Sequence, residues 1–353
     1  MSSTPRKAPI VIKIGTSSLI TDDGIDRSRV ADLSATLATL HASGHRIVLV
    51  ASGAIALGNV RLGAGVGPGS RQLAAAVGQG TLYEALRSAL ERDGLTAAQF
   101  LLTPLDITDE AHRDSARGAL QLALDEGVVP LVNENDAVMV RNNDVLAALL
   151  GTLLNARRVV ILTDVPGLYD ANPHSNPDAR LIPVINEMTT EVERLAGSSV
   201  SSVGTGGMLS KLCAAWIGSQ SGVEVVIASA AETDAVVRAV RGDSVGTLVR
   251  PRERGAQRDV GRLWRAFSTP PVGRLICDSG AEQVVRGDGE LIGRHVVHAE
   301  GEVGPGAVVN VLLSDGRLAA RGRIRLGLPS PQSAIPGDTS LLQPCDYVRL
   351  LED

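Results

Sequence analysis

Lysine stands at only three positions, Lys7, Lys13 and Lys211, in a chain of 353 residues that carries 34 basic side chains. Two of the three adjoin small-residue, glycine-containing turns. Lys13 lies in P-I-V-I-K-I-G-T-S-S-L at residues 9–19, and Lys211 ends G-T-G-G-M-L-S-K at residues 204–211. A compact ammonium fits between phosphoryl oxygens where a planar guanidinium does not. An arginine-rich chain that keeps lysine at these two places points to phosphate chemistry. Gly15 lets the backbone approach an anion closely, and Thr16, Ser17 and Ser18 offer amide and hydroxyl donors. The plainer reading of residues 9–19 is a strand with a snorkelling lysine. Because a buried charge is costly, Lys13 is expected at the strand's end, facing a ligand or a carboxylate.

Phosphoryl transfer needs positive charge on the transferring group, a divalent cation and positioning of both substrates. Lys13 and Lys211 could supply the charge from opposite sides, each worth roughly 3–4 kcal/mol of barrier. Asp144 and Asp164 are candidates to orient the lysines or to contribute to a metal environment. Asn133, Asn135, Asp136 and Asn143 suit recognition of a small polar substrate, although residues 133–136 also read as a turn with Asx hydrogen bonds. Other chemistries lack their signatures. No Gly-Lys-Ser/Thr occurs, so there is no P-loop, and residues 204–207 lack dinucleotide-fingerprint spacing. The six histidines form no ligand-like cluster, and Ser17 and Ser52 have no evident His/Asp partners.

The elements that must position these groups alternate. After the first strand comes a helical stripe, Val30, Leu33, Leu37 and Leu40, ended by Gly44. A β-branched run at 46–51 opens into Ser52-Gly53-Ala54. A helix is expected over 72–91, a strand over 100–105 and a helix over 115–126. A strand over 128–132 runs into Asn133, a helix covers 145–155, and a strand over 159–162 ends in Thr163-Asp164. Residues 189–196 read as helical, Lys211 opens a helix to 218, and 223–227 read as a strand. Strands alternating with helices give an α/β fold with a mostly parallel sheet, whose ligands bind at the strands' carboxyl ends. Four such ends carry the polar clusters named above.

Near Arg250 the composition shifts to an arginine-punctuated stretch ending at Pro270-Pro271, read as a linker. Short β-branched runs at 296–298, 308–313 and 318–325 then describe a small β-rich domain. The expected organisation is residues 1–250, a linker at 251–271, and a second domain at 272–353. Net charge of −5 and 2% aromatic residues disfavour DNA or RNA as the main partner. From Gly273 onward eight arginines face eleven acidic residues, which disfavours binding of a phosphate backbone by that part. No apolar stretch is long enough to span a bilayer, and no signal-peptide core opens the chain, so it reads as cytoplasmic. Cys213, Cys277 and Cys345 are too few and too dispersed for a disulfide framework or zinc site.

Taken in order, K-I-G-T-S (13–17), A-S-G-A-I (51–55), N-E-N-D (133–136), T-D-x-x-G-L-Y (163–169), G-T-G-G-M-x-x-K (204–211) and S-V-G-T-L (244–248) resemble the amino acid kinase family. Within it they resemble the members that phosphorylate the side-chain carboxylate of L-glutamate with ATP and Mg2+, opening proline biosynthesis. The resemblance covers about the first 250 residues and implies an α/β/α sandwich and a homodimer or homotetramer. It implies that Lys13, Lys211 and Asp144 are catalytic, with Asp144 organising the two lysines. Lys13, Gly15, Thr163, Asp164, Thr205, Gly206, Gly207, Met208, Leu209, Ser210 and Lys211 would contact the nucleotide. Ser52, Asp136 and Asn143 would hold glutamate, and no protein side chain is assigned as a metal ligand. A carboxylate acceptor is already ionised at pH 7 and needs no general base.

Two departures stand out. The segment after N-E-N-D is short, and Asn142 replaces an aspartate expected near the substrate's ammonium, which should weaken amino-acid binding. The alternatives are therefore a kinase of another small amino acid or carboxylate, or a regulatory paralogue without catalysis. G-R-L-I-C-D-S-G-A at 273–281 resembles the start of a PUA domain, read as a structural or regulatory module.

Overall fold

The computed structural model describes residues 7–63, 70–138, 142–171, 173, 175–195, 207–252, 257–325 and 337–351. The chain divides into two units, Met1–Ala256 and Gln257–Asp353.

The first unit opens with β1 (Ile10–Ile14), the β2 (Ile20–Thr21) and β3 (Gly24–Ile25) hairpin, α1 (Arg27–Ala42) and β4 (Ile47–Ala51). Helices α2 (Ala54–Leu62) and α3 (Ser70–Arg92) follow, then β5 (Ala97–Leu102), α4 (Leu105–Thr108), α5 (Glu110–Asp125) and β6 (Val129–Glu134). The later half holds α6 (Asn143–Leu153), β7 (Arg158–Thr163), β8 (Val184–Ile185), α7 (Thr190–Leu195), α8 (Met208–Ser221), β9 (Glu224–Ser229), α9 (Ala235–Arg241) and β10 (Thr247–Val249). Eight strands form one sheet in the order β5-β6-β4-β1-β7-β9-β10-β8, and only the β9/β10 pair within it is antiparallel.

Side chains alternate across a strand, so β1 serves both faces. Ile10, Ile12 and Ile14 join one core with Leu33 and Leu37 of α1, Leu82 and Leu86 of α3, and Val236 and Val240 of α9. Lys13 projects from the opposite face, where α6 packs on β1 and α8 packs on α6 and β9. Helix α6 is buried from Asp144 through Leu153, so it is hydrophobic nearly all round, as expected of a helix enclosed by protein. Its capping residue lies at the strand ends, which brings its first turn to the polar clusters.

Several of the sequence's motifs turn out to build the frame. Thr247 is fully buried; its hydroxyl accepts from Leu168 N at 2.8 Å and donates to Ile182 O at 2.7 Å. A Cβ on Gly167 would lie 2.5 Å from that hydroxyl. The G-L-Y and S-V-G-T-L motifs are therefore two halves of one joint. In A-S-G-A, Gly53 has φ of +127°, a backbone conformation that requires glycine, and a Cβ there would also have to displace the end of the Ile20 side chain, 2.2 Å away.

The second unit contains α10 (Val260–Phe267), β11 (Gly273–Cys277), α11 (Gly280–Arg286), β12 (Leu291–Ile292), β13 (Val296–Gly301), β14 (Val308–Leu313), β15 (Leu318–Arg323), β16 (Ser340–Leu342) and β17 (Tyr347–Arg349). Its main sheet has the order β13-β11-β14-β15-β17. The stretch read as a linker contains α10, whose Val260, Leu263, Ala266 and Phe267 are buried against β15 and β17. Arg321 stacks 5.4 Å above the Phe267 ring and Arg323 5.1 Å above Trp264, so cation–π contacts hold this helix. Arginine spacing masked an amphipathic helix. Elsewhere β6 runs on through Asn133 and Glu134, which pair with Leu101 and Leu102 of β5, because the parallel ladder continues past the last apolar residue. The strand expected at 100–105 lies at Ala97–Leu102, and α5 starts at Glu110, capped by Asp109 accepting from His112 N.

Candidate active site

Three elements deliver three charges to one point. Lys13 comes from β1, Asp144 from the first turn of α6 and Lys211 from α8. Lys13 Nζ lies 2.7 Å from Asp144 Oδ1, and Lys211 Nζ lies 3.4 Å from Oδ2. Ser210 Oγ donates to the same Oδ2 at 2.6 Å and sits 2.8 Å from the Gly207 carbonyl. The residues are 5%, 1% and 4% exposed for Lys13, Asp144 and Lys211, so this cluster belongs to the interior.

Burial pushes the Asp144 carboxyl up, but the charges of Lys13 and Lys211, with hydrogen bonds from Lys13 and Ser210, outweigh it and hold the group at about 2. Lys211 moves the other way. Desolvation lowers it most, Lys13 adds to the lowering, and Asp144 and Asp164 only partly restore it. The start of α6 also favours a carboxylate, since its free backbone N–H groups carry partial positive charge. Asp144 is thus a fixed anion that holds two ammonium groups in place.

Around this core, Thr163 ends β7 and donates its hydroxyl to Asp164 Oδ1 at 2.9 Å, while Asp164 itself is exposed. A Cβ on Gly15 would stand 3.7 Å from Lys13 Nζ, so the missing side chain leaves space beside the ammonium. Gly207 caps α8, whose first turn is Met208, Leu209, Ser210 and Lys211. Thr205 and Gly206 lie outside the described residues. The first turn of a helix presents unpaired N–H groups suited to an anion.

A second cluster sits at the ends of β4 and β6. Asn143 Nδ2 donates to Ser52 Oγ at 3.0 Å and to Asn133 Oδ1 at 2.8 Å. Ser52 Oγ accepts, which leaves its own hydroxyl proton to give. Asn143 Oδ1 is buried with no hydrogen-bond partner among the described residues, an acceptor lacking a donor. The cluster therefore offers a ligand one donor and one acceptor. Asp136 is half-buried in the turn after β6. Asn143 and Asp144 are neighbours in sequence, so α6 joins the two clusters.

Asn142, expected near a substrate ammonium, has structural work to do. Its Oδ1 accepts from Asp144 N at 2.8 Å, capping α6, and its own N donates to Glu134 Oε1 at 2.6 Å. Asparagine and aspartate cap helices about equally well. Sequence reading missed Gln79 of α3, whose Oε1 accepts from Asn133 Nδ2 at 2.8 Å. The signal was a polar residue between Gly78 and Gly80 in an otherwise apolar helical run.

A doubly covered, mostly parallel sheet that gathers two buried lysines, one carboxylate and a helix start at its strand ends defines a phosphate-handling α/β enzyme. Residues 8–229 match the model of the amino acid kinase family, and the chain belongs to that family and is a kinase. Among curated proteins it is similar to the glutamate 5-kinase of Geobacter sulfurreducens, at 41% identity over 89% of this chain and 87% of that protein. Similarity to the glutamate 5-kinase of Streptococcus suis reaches 40% over 97% of this chain and 99% of that one. Among solved structures, the UMP kinase of Bacillus anthracis shares the fold, with a TM-score of 0.51 and 15% identity over 69% of this chain and 96% of that chain. No helix among the described residues is long and apolar enough to cross a membrane.

Proposed function

We propose that this chain transfers the γ-phosphoryl group of ATP to the side-chain carboxylate of L-glutamate, forming glutamyl 5-phosphate, the entry to proline biosynthesis. The observation that carries the reading is the sharing of one buried carboxylate, Asp144, by Lys13 and Lys211. The similarity to glutamate 5-kinases over most of the chain supports the acceptor.

In this reading a carboxylate oxygen of glutamate attacks the γ-phosphorus, the β–γ bridging P–O bond breaks, and ADP leaves with the electron pair. Glutamate's carboxylate is ionised at neutral pH, so no proton has to be removed and no basic residue is required. Lys13 and Lys211, fixed by Asp144, neutralise charge on the transferring group. Because Asp144 sets their positions before substrate arrives, little reorganisation is needed during transfer. Gly15, Thr163, Asp164 and residues Gly207 to Lys211 would contact the phosphates and nucleotide, with Thr205 and Gly206 of the same motif assigned to that role from the sequence.

On the acceptor side, Ser52's free hydroxyl proton suits a carboxylate oxygen and Asn143 Oδ1 suits an ammonium, a pairing that fits an α-amino acid; Asp136 adds negative charge. Mg2+, when bound, would supply positive charge that offsets the negative charge of the phosphates. The donor set fits an ion carried by the nucleotide: Asp144's oxygens are engaged by two lysines and a hydroxyl, leaving Asp164 as the exposed carboxylate that can face it.

An ADP-release assay over a panel of amino acids and small carboxylates, with hydroxylamine trapping of the acyl phosphate, tests the proposal. Glutamate-dependent turnover is expected. Turnover confined to another acceptor, or none at all, would reject it.

A further inference from the structure

Helices α2 and α3 cross with their backbones in contact. A Cβ on Gly58 would lie 1.8 Å from Ala74 O, and one on Gly78 would lie 1.9 Å from Ala54 O. Two glycines, one per helix, thus set the separation of the pair. The residue after Gly78 is Gln79, and the residue two before Ala54 is Ser52. The crossing therefore fixes both ends of a hydrogen-bonded chain that runs from Gln79 through Asn133 and Asn143 to Ser52.

The direction of that chain is set at Asn133, held between the backbone N of Glu134 and the side chain of Gln79. An amide can be turned over, exchanging its oxygen and nitrogen at almost no steric cost, so Asn133 needs a partner that tells its ends apart. Gln79 Oε1 accepts from Asn133 Nδ2. The backbone N of Glu134, which can only donate, holds Asn133 Oδ1 at 2.9 Å. Gln79, by accepting at the other end, supports the same orientation, in which Oδ1 also takes Asn143 Nδ2 at 2.8 Å. Asn143 must then present nitrogen to Asn133 and Ser52 and keep its oxygen for a ligand. Reversing Asn133 would place two amide nitrogens face to face and release Asn143 to reverse as well.

We infer that Gln79 is a positioning residue for the amino-acid acceptor, acting through Asn133 to hold Asn143 with its carbonyl oxygen toward the substrate; the inference rests on the glutamate reading. Gln79 is only half-buried, so a carboxylate there is tolerable, and Gln79→Glu keeps an acceptor for Asn133. Gln79→Met has a similar shape and no comparable acceptor.

The test measures KM for glutamate, KM for ATP, kcat and thermal midpoint for wild type, Q79M and Q79E. The expected result is a rise of about tenfold in KM for glutamate in Q79M, with KM for ATP and kcat nearly unchanged, because acceptor binding is lost equally from ground and transition states. Q79E should restore KM for glutamate toward wild type. A structural role alone would lower the thermal midpoint and affect both substrates together. Unchanged KM for glutamate in Q79M, or parallel changes in both KM values, would overturn the inference while wild-type turnover left the proposed reaction standing. If Q79M does not fold, failure of Q79E to keep the wild-type KM for glutamate is the overturning result. A wild-type enzyme inert toward glutamate rejects the reaction and this inference together.

Discussion

Lys13 Nζ stands 2.7 Å from Asp144 Oδ1 at a place where the two side chains are 6% and 1% exposed. Such a pair exists because a third group, Lys211, meets the carboxylate's other oxygen. Removing the anion would leave two buried ammonium groups facing each other without compensation. Asp144→Asn is expected to cost about 3–5 kcal/mol of stability, read from urea denaturation, and to lower kcat by at least about a hundredfold. An unchanged denaturation midpoint would contradict the keystone role assigned to this carboxylate.

The same cluster sets a pH dependence of one sign at its two ends, stability rising with pH through each window. Asp144 is held at about 2 against its ordinary 3.8, so on acidification the unfolded chain takes up this proton first. Its contribution to stability is complete above the ordinary value and is lost as pH falls toward 2. Lys211 is lowered from 10.5. Its folded form releases the proton earlier, so with respect to this group stability rises with pH between the lowered value and 10.5. Activity that uses its charge should fall over that window. A pH profile of kcat/KM for ATP whose alkaline limb begins only above that of free lysine would count against Lys211 as the charged group.

Asn142 makes a prediction about the departure seen in the sequence. If its oxygen caps α6, Asn142→Ala should lose about 1 kcal/mol of stability and Asn142→Asp almost none. Chemical denaturation of the two variants decides this. Equal stability of all three proteins would show that the cap is unimportant. A much lower KM for glutamate in Asn142→Asp would show that the lost aspartate acted on the ammonium after all.

Thr247 belongs to a sequence motif yet contacts only the backbone of the frame in the hydrogen bonds described. Thr247→Val leaves Leu168 N and Ile182 O without this partner in a buried place, at a cost of about 1–3 kcal/mol. The variant should keep wild-type kcat once folded. A selective loss of turnover without loss of stability would move Thr247 into the catalytic account.

What was legible in the sequence was what depends on short stretches. Lys13 at the end of an apolar run, Lys211 after its glycines and the Asn and Asp residues behind β6 all announce polar side chains at strand ends. The alternation of apolar runs predicted the parallel sheet for the same local reason. Gln79 was not legible, because its meaning comes from a hydrogen bond to Asn133, 54 positions away. Asn142 was read by its charge when its geometry as a cap mattered. Helix α10 was hidden by Arg258, just before it, and by Arg262 and Arg265, which punctuate its apolar stripe of Val260, Leu263, Ala266 and Phe267, so charge spacing looked like a solvated linker.

The crossing at Gly58 and Gly78 leaves a mark on how this protein can vary. Most helix contacts are padded by side chains, and a lost methyl at one position can be made good by a gained methyl at another. Here peptide meets peptide, and no smaller residue exists to give way. Adaptation to a different acceptor cannot come through gradual loosening of α2 against α3. It has to come through the residues at the ends of the network, Ser52, Gln79 and Asn143, exchanged while the hinge beneath them stays as it is.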